Sequence, residues 1–561
     1  MKQLIECVPN FSEGRDMTII KQITDAIESV EGAKLLDVDP GKATNRTVVT
    51  FVGEPDVVVE AAFRGIQKAA ELIDMSKHSG EHPRMGATDV CPFIPIAGIT
   101  MEETVKYTQQ LGKKVGEELG ISVFLYESSA TDPRWKNLAN IRAGEYEKMA
   151  SKLEQDNFNP DFGPSVLNEG AGVTAIGARD FLVAYNVNLN TTSTRRANSV
   201  AYDVREGGRV KREGHPINGK VVRDENGKAV KTPGACKAVK GIGWYIEEYG
   251  ICQVSMNLTN ISITPLHIAF EECCKSATRR GLRVTGSELV GLVPLQVMLD
   301  AGKYFLEQQQ RSTGIAESEI IKIAVKTMGL DELTPFDPQK KIIEYLLAAD
   351  EATPLLDMTL PAFADETASE SVAPGGGSIS AYVGALGISL GTMVANLSSH
   401  KRGWDERWKE FSDWAAKGQA IKDQLLRMVD EDTNAFNRIL EAFRLPKGSD
   451  AEKAARKQAV QDATKYAVEV PLKVMRLSLD SMTTLKAMVE LGNPTSITDG
   501  AVGTLCARTA VYGACLNVKI NIVDLEDKDY AKAVAAKADE MLQEAMSLET
   551  SILEIVNTRL G

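Results

Sequence analysis

The chain has 561 residues, 43% of them hydrophobic and 25% charged, which is ordinary globular usage and excludes a wholly disordered or fibrous protein. At roughly 150 residues per domain, that length predicts three to four domains. With 64 basic and 77 acidic residues the net charge is −13, which argues against a nucleic-acid binder working through bulk charge.

The opening MKQLIECVPNF holds no apolar run long enough for a signal peptide. Residues 3–8 read as a strand, and Ile20, Ile23, Ile27 and Val30 then recur at helical spacing. Residues 34–38 and 47–52 read as strands. Val59, Phe63, Ile66, Ala70 and Ile73 mark a second helix, and 89–96 a further strand. The order is βαββαβ, the ferredoxin-like pattern, extended by a helix over 102–119 and a strand over 122–126. The same order returns. Val183, Tyr185, Val187 and Leu189 alternate with Ala184, Asn186 and Asn188 as a half-buried strand. Strands near 243–248 and 253–258, a helix near 266–278 and a strand near 282–285 follow. The second unit carries a polar, locally basic insertion over 206–236, with a hairpin signal at Glu225-Asn226-Gly227. It reads as a solvated surface hairpin or as an anion-steering flap.

After Tyr345 strand signals fade and long helical patterns run to Leu560. Between Ser371 and Ser399 there is no Asp, Glu, Lys or Arg, a span long enough to cross a bilayer. It opens on Pro374-Gly375-Gly376-Gly377, and Gly384, Gly387 and Gly391 would let another helix approach closely, so a buried bundle helix and no membrane span is expected. The expected fold is therefore multidomain. Two α+β ferredoxin-like βαββαβ subdomains over 1–181 and 182–347 are followed by a linker over 348–355 and an all-α helical bundle over 356–561.

Eight scattered cysteines with no Cys-x-x-Cys pair predict a reduced, cytoplasmic protein without a zinc ribbon or disulfide framework. Of five histidines, His82 stands out. It lies in Gly80-Glu81-His82-Pro83-Arg84-Met85-Gly86, a punctuated loop that suits a general base beside an anion clamp, with Arg84 as the possible clamp for a substrate carboxylate. The bland alternative is a structural turn. His78 lies four residues earlier, but Gly80 and Pro83 break any helix that would pair the two on a metal, so no metal is expected. His267 reads as a core or surface histidine, and His215 and His400 as solvated. A second Gly/Pro-rich loop runs from Asp161 to Gly172 towards a strand; its flanking order is wrong for a dinucleotide fingerprint, and it could instead wrap a flat ligand.

In the helical part, Leu425, Val429, Asp432, Phe436 and Ile439 form one seam, interrupted by Asp432. A carboxyl there is either paired or kept protonated, because an isolated buried charge is expensive. Asp430 and Asn434 would point away. The same residues with Glu441 fit four calcium-loop positions, but Ala435 stands where the sharp turn needs Gly, so a continuous helix is favoured. Asp499 follows Ser496 by three at an expected helix start, where an N-terminal capping arrangement is the plain reading, with Asn517 and Asn521 as further polar positions.

Taken together, Cys7-Val8-Pro9-Asn10-Phe11-Ser12-Glu13-Gly14, Thr44-Asn45-Arg46-Thr47, the 80–86 loop and Gly241-Ile242-Gly243-Trp244-Tyr245 resemble the formiminotransferase module. Ala373-Pro374-Gly375-Gly376-Gly377-Ser378 and the Asp430-Glu431-Asp432 helix resemble the cyclodeaminase module. The chain is similar, in order, to the formiminotransferase-cyclodeaminase family. The resemblance implies transfer of a formimino group from N-formimino-L-glutamate to tetrahydrofolate, in its simple or polyglutamylated form. Closure to 5,10-methenyltetrahydrofolate then expels ammonia, both steps belonging to histidine breakdown. It implies His82 as transferase base, Asp432 as cyclodeaminase acid, and a folate-binding loop of Gly163, Pro164, Ser165, Val166, Leu167, Asn168, Glu169, Gly170, Ala171 and Gly172. Asp499 is a possible second carboxylate of the cyclodeaminase site. A homo-oligomer through a cyclodeaminase dimer is also implied, with a ring of dimers as the larger assembly of some members. The second module equally resembles stand-alone methenyltetrahydrofolate cyclohydrolases, and a non-catalytic folate-binding scaffold is the remaining alternative.

Overall fold

The computed structural model describes residues 3–42, 44–80, 82–214, 219–348 and 353–561. The chain packs as two units, Met1–Val297 with Met328–Leu347 and Met298–Thr327 with Ala348–Gly561. This division follows packing: it changes unit between Leu347 and Ala348, and it also gives 298–327 to the helical unit. The N-terminal region is α/β and the C-terminal region helical.

In the first unit, strands β1 (Leu4–Cys7) and β2 (Asn10–Phe11) precede helix α1 (Met17–Glu28), strands β3 (Lys34–Gly41) and β4 (Arg46–Gly53), helix α2 (Pro55–Leu72) and strand β5 (Thr88–Ala97). Helix α3 (Met101–Leu119), strand β6 (Ser122–Leu125), helices α4 (Leu138–Arg142) and α5 (Glu145–Leu153) and strand β7 (Val173–Ala178) follow. β3, β4, the β1–β2 segment and β5 pair antiparallel in that spatial order; β7 joins β5 in parallel and β6 closes the edge. Successive strand residues face opposite sides. Cys91, Phe93, Val123 and Leu125 therefore meet Ile23, Ile27, Phe63 and Ile66 of α1 and α2, while Val90 and Phe124 pack with Trp135 and Phe158 on the other side. Of the expected stripe of α2, Phe63 and Ile66 are buried and Val59 and Ala70 only half-buried; Val58, Ala61, Ala62 and Ala69 complete the buried face.

The second sheet is built from β8 (Val183–Leu189), β13 (Val239–Ile246), β14 (Ile251–Leu258) and β15 (Val284–Val290), with helices α6 (Thr194–Val204) and α7 (Leu266–Arg279). Its order is β13-β14-β8-β15, all antiparallel. β8 is not half-buried: Asn186 and Asn188 are covered as well. Gln253 donates to Asn188 Oδ1 at 2.9 Å, and Asn186 donates to Glu288 at 3.3 Å, so a polar network satisfies what alternation alone assigned to solvent. Among its described residues the insertion holds four two-residue strands, β9 (Arg209–Val210), β10 (Arg212–Glu213), β11 (Lys220–Val221) and β12 (Lys231–Thr232), paired β9 with β12 and β10 with β11. The Glu225–Gly227 turn forms, with Gly227 at φ +73°; His215 lies outside the described residues.

Helices α8 (Leu295–Gln308), α9 (Glu317–Met328), α10 (Pro338–Lys341) and α11 (Ile343–Ala348) lead to the bundle of α12 (Leu360–Thr367), α13 (Gly376–Ser399), α14 (Trp408–Arg444), α15 (Asp450–Leu491), α16 (Ile497–Asn521) and α17 (Lys528–Leu560). Among the described residues α13 is the one helix long and apolar enough to cross a membrane, yet 61% of its apolar 18-residue stretch is buried among its neighbours. Gly387 explains how: a Cβ there would lie 2.8 Å from the Gly503 carbonyl oxygen of α16, so the two helices touch backbone to backbone. α14 runs unbroken through 430–441, which excludes the calcium loop. Of the expected seam Phe436 is 43% exposed while Ile439 still packs against the core, and Asp430 and Ala435 are buried as well.

Candidate active sites

Three chain-distant segments converge on His82. Ser12 Oγ donates to the Gly86 carbonyl at 2.7 Å and Ser12 N to that of Ala87 at 2.8 Å, stitching the Asn10–Gly14 segment onto the 80–86 loop. Asn45, at φ +47°, accepts from Gly14 N on its side-chain oxygen at 3.1 Å and donates to Ser79 O at 2.9 Å. That brace directs Arg46, at the start of β4, towards His82. Arg46 Nη1 lies 2.6 Å from Asp89 Oδ2, and its Nε and Nη2 donate to Asn10 Oδ1 at 3.0 and 2.6 Å. Arg142, at the end of α4, places Nη2 2.6 Å from the same Asp89 oxygen.

His82 Nδ1 is 2.7 Å from the Pro83 carbonyl oxygen and 3.0 Å from Arg46 Nη1. A carbonyl only accepts, so the shorter contact puts the proton on Nδ1 and leaves Nε2 with its lone pair; Arg46 then acts on the ring as a charge. Burial first, then the Arg46 and Arg142 charges, hold this imidazole down at about 4. His82 is therefore neutral at pH 7, as a base must be. The acid limb of kcat/KM for transfer should fall near pH 4 instead of near the ordinary histidine value of about 6.5; an enzyme-borne limb at 6.5 would contradict this environment. The sign for stability agrees. Between about pH 6.5 and 4 the unfolded chain binds a proton at His82 that the folded chain refuses, so this group lowers stability as pH falls through that window.

Arg84, expected as a possible clamp, is already engaged. Its Nη1 lies 3.0 Å from Glu145 Oε2, its Nη2 2.6 Å from Glu147 Oε1, and its Nε donates to His78 Nδ1 at 3.3 Å. The cations that face His82 are Arg46 and Arg142, and nothing in local spacing marks Arg142.

The 163–172 loop is tied down at several points. Ser122 Oγ donates to Pro164 O and Tyr146 Oη to Glu169 O, both at 2.7 Å, and Met75 N to Gly170 O at 2.8 Å. Asn168 closes a turn, its Oδ1 accepting from Ala171 N and its carbonyl from Gly172 N. Gly172, at φ +72°, bridges Gly86 and sets the loop end against the His82 segment. Leu167 packs inward, whereas Gly163, Pro164, Ser165 and Glu169 are exposed and Val166 is 72% exposed. The result is a fixed backbone with an open apolar tip.

In the helical unit the N-terminal turn of α13 rests on Asp432 of α14. Asp432 Oδ2 accepts from Ser378 N at 2.9 Å. Ser378 Oγ lies 2.8 Å from Val429 O and 3.2 Å from Asp432 Oδ2. One hydroxyl proton cannot serve both acceptors; given to Val429, it leaves a contact that Asp432 satisfies when it carries the proton. Burial raises the Asp432 carboxyl above the usual range, opposed by its Ser378 hydrogen bonds. A Cβ at Gly376 would lie 3.4 Å from Asn517 Nδ2, so α16 reaches the same place. A Cβ at Gly377 would lie 2.1 Å from Asp432 Oδ1. Gly377→Ala should therefore displace Asp432 and cost cyclisation at least tenfold while transfer persists; equal rates of both reactions in variant and parent would show that this approach does not matter.

Asp430 does lie off the Asp432 side of α14, as expected, but it is not solvated. Its side chain is buried and accepts from Leu355 N at 2.9 Å and Leu356 N at 3.2 Å, pinning the end of the expected linker. Ser496 precedes α16 as expected, but its side chain makes no cap. Asp499 stands half-buried in the first turn of α16. At 1.5 Å per residue it is about 27 Å along the axis from Asn517, so the structure does not bring it to Asp432. Asn521 donates to Ala467 O at 2.8 Å. Among the described residues no group of three or more His, Cys, Asp or Glu is placed to hold a metal.

Residues 4–179 match the family model "Formiminotransferase domain, N-terminal subdomain", 184–348 match "Formiminotransferase domain", and 359–540 match "Formiminotransferase-cyclodeaminase". A formimidoyltransferase-cyclodeaminase of Dictyostelium discoideum is 41% identical, with 100% of each chain covered. A glutamate formimidoyltransferase of Thermoplasma acidophilum is 44% identical over 54% of this chain and 92% of its own length. A methenyltetrahydrofolate cyclohydrolase of Methylorubrum extorquens is 33% identical over 36% of this chain and 98% of its own. With a relative matched from end to end and three family models in series, the chain belongs to the formiminotransferase-cyclodeaminase family.

Proposed function

We propose that this chain is a bifunctional folate enzyme that carries a formimino group through two successive steps. In the first unit, N5 of tetrahydrofolate attacks the formimino carbon of N-formimino-L-glutamate. His82 Nε2 takes the N5 proton and returns it to the departing glutamate nitrogen as that C–N bond breaks. In the helical unit, N10 attacks the same carbon of 5-formiminotetrahydrofolate and closes the ring, its proton passing to the imino nitrogen, which becomes the amino group. The C–NH₂ bond then breaks with a proton from Asp432, giving ammonia and 5,10-methenyltetrahydrofolate. The observation that carries this reading is the opposite preparation of the two groups: burial and two arginines keep His82 unprotonated, while burial favours the proton on Asp432.

Tetrahydrofolate is a co-substrate here, no metal is needed for either step, and the open tip of the 163–172 loop is the folate contact. Each sheet's βαββαβ strand order supports a ferredoxin-like subdomain. Assembly as a homo-oligomer through the helical unit is supported by the apolar side chains left outside: Leu386, Met393 and Leu397 on α13, and Leu505, Leu516 and Ile520 on α16. A reduced cytoplasmic setting suits eight free, mostly buried cysteines.

The test supplies purified protein with tetrahydrofolate and N-formimino-L-glutamate, following methenyltetrahydrofolate absorbance and ammonia together. Equal yields of both support the reading. Methenyl product hydrolysed onward without ammonia from a formimino substrate would favour the cyclohydrolase alternative for the second unit, and folate binding without turnover would favour the scaffold.

A further inference from the structure

We propose that Arg142, seconded by Arg46, forms the subsite that holds the α-carboxylate of the formimino donor beside His82, and so selects an N-formimino α-amino acid over a formimino amine. This rests on the transferase reading above. Asp89 is buried, and its Oδ2 alone takes both guanidinium groups at 2.6 Å, while Oδ1 accepts from Met85 N at 3.1 Å. One carboxylate thus faces two cations. Each nitrogen of Arg46 already has a partner in Asn10 or Asp89. Arg142 differs: its buried Nε has no hydrogen-bond partner, and its side chain remains 16% exposed. A buried donor without an acceptor, on a cation that shares its one carboxylate, is costly unless a ligand supplies the acceptor, and a guanidinium fork suits a carboxylate.

Donor chemistry selects which carboxylate. The formimino carbon, the nitrogen, Cα and the α-carboxyl carbon are joined by three consecutive bonds, so the two ends are roughly 3–4 Å apart. A cation beside the base therefore reaches the α-carboxylate while His82 attends the reacting centre; the side-chain carboxylate lies further out. Binding that anion would also cancel the positive field at His82, and the imidazole would regain basicity when the donor is seated.

The experiment compares N-formimino-L-glutamate with its α-carboxamide as donors, in the full-length parent and in Arg142→Gln and Arg142→Lys. The parent should prefer the free α-carboxylate by about 10- to 100-fold in kcat/KM. Arg142→Gln should bring the two donors within about threefold, leave KM for tetrahydrofolate unchanged and move the acid limb of kcat/KM upward. If the glutamine variant does not fold, Arg142→Lys decides: it keeps a charge for Asp89 but lacks the fork, and should lose most of the preference. A folded variant that retains the parental preference, or loses rate equally on both donors with no shift of the pH profile, overturns the inference alone. A parent that transfers nothing to tetrahydrofolate overturns the transferase reading, and the inference with it.

Discussion

His82→Ala is expected to lower formimino transfer by about 10²–10⁴-fold, the usual contribution of a general base, while ring closure of supplied 5-formiminotetrahydrofolate continues at the parental rate. The separation follows from the chain itself, since His82 lies in the unit Met1–Val297 and Asp432 in Ala348–Gly561. Stability should change little. The imidazole gains one contact to Pro83 O, but it sits in the field of Arg46 and Arg142, so its removal takes away a group that is held against its preferred protonation in mild acid. Single-turnover transfer, with ammonia release from supplied 5-formiminotetrahydrofolate as the control, measures both. Near-normal transfer in the variant would take His82 out of the mechanism.

The second large effect is expected at Asp432. Replacement by Asn keeps the shape and can still accept from Ser378 N, but offers no ionisable proton. The variant should fold, bind folate and accumulate 5-formiminotetrahydrofolate, with ammonia release per folded molecule down by about 10²-fold or more. A merely structural carboxyl predicts the reverse, lower stability with normal turnover in whatever remains folded. Some destabilisation is expected in both cases, because Asp432 lies against the first turn of α13, so stability alone does not decide. Ammonia per folded molecule, normalised to transfer, does. Normal release at unchanged folate affinity would remove Asp432 as the acid.

Local periodicity alone determined most of the secondary structure. The apolar spacing of Ile20, Ile23 and Ile27 gives α1, and the two βαββαβ runs give two sheets in the same strand order. The charge-free stretch with its three glycines gives a buried helix. Punctuated motifs also announced His82, the 163–172 loop and the Gly375–Ser378 turn, because tight turns and close helix contacts constrain residue type wherever they occur. Tertiary structure decided the rest. Asp430 and Asp432 are two residues apart on one helix and so point about 200° apart; only packing shows that Asp430 is consumed by Leu355 and Leu356 while Asp432 meets Gly377 and Ser378. Arg84, in the same turn as His82, is engaged by Glu145 and Glu147, and Arg142 comes from α4 to pair Asp89 beside Arg46. Asn188, polar on an alternating strand, is buried because Gln253 and Glu332 come from other elements to bond it. A period reports which residues share a face of one element. What that face meets depends on chain-distant groups whose pairing is set by packing and charge compensation, and no local spacing encodes it.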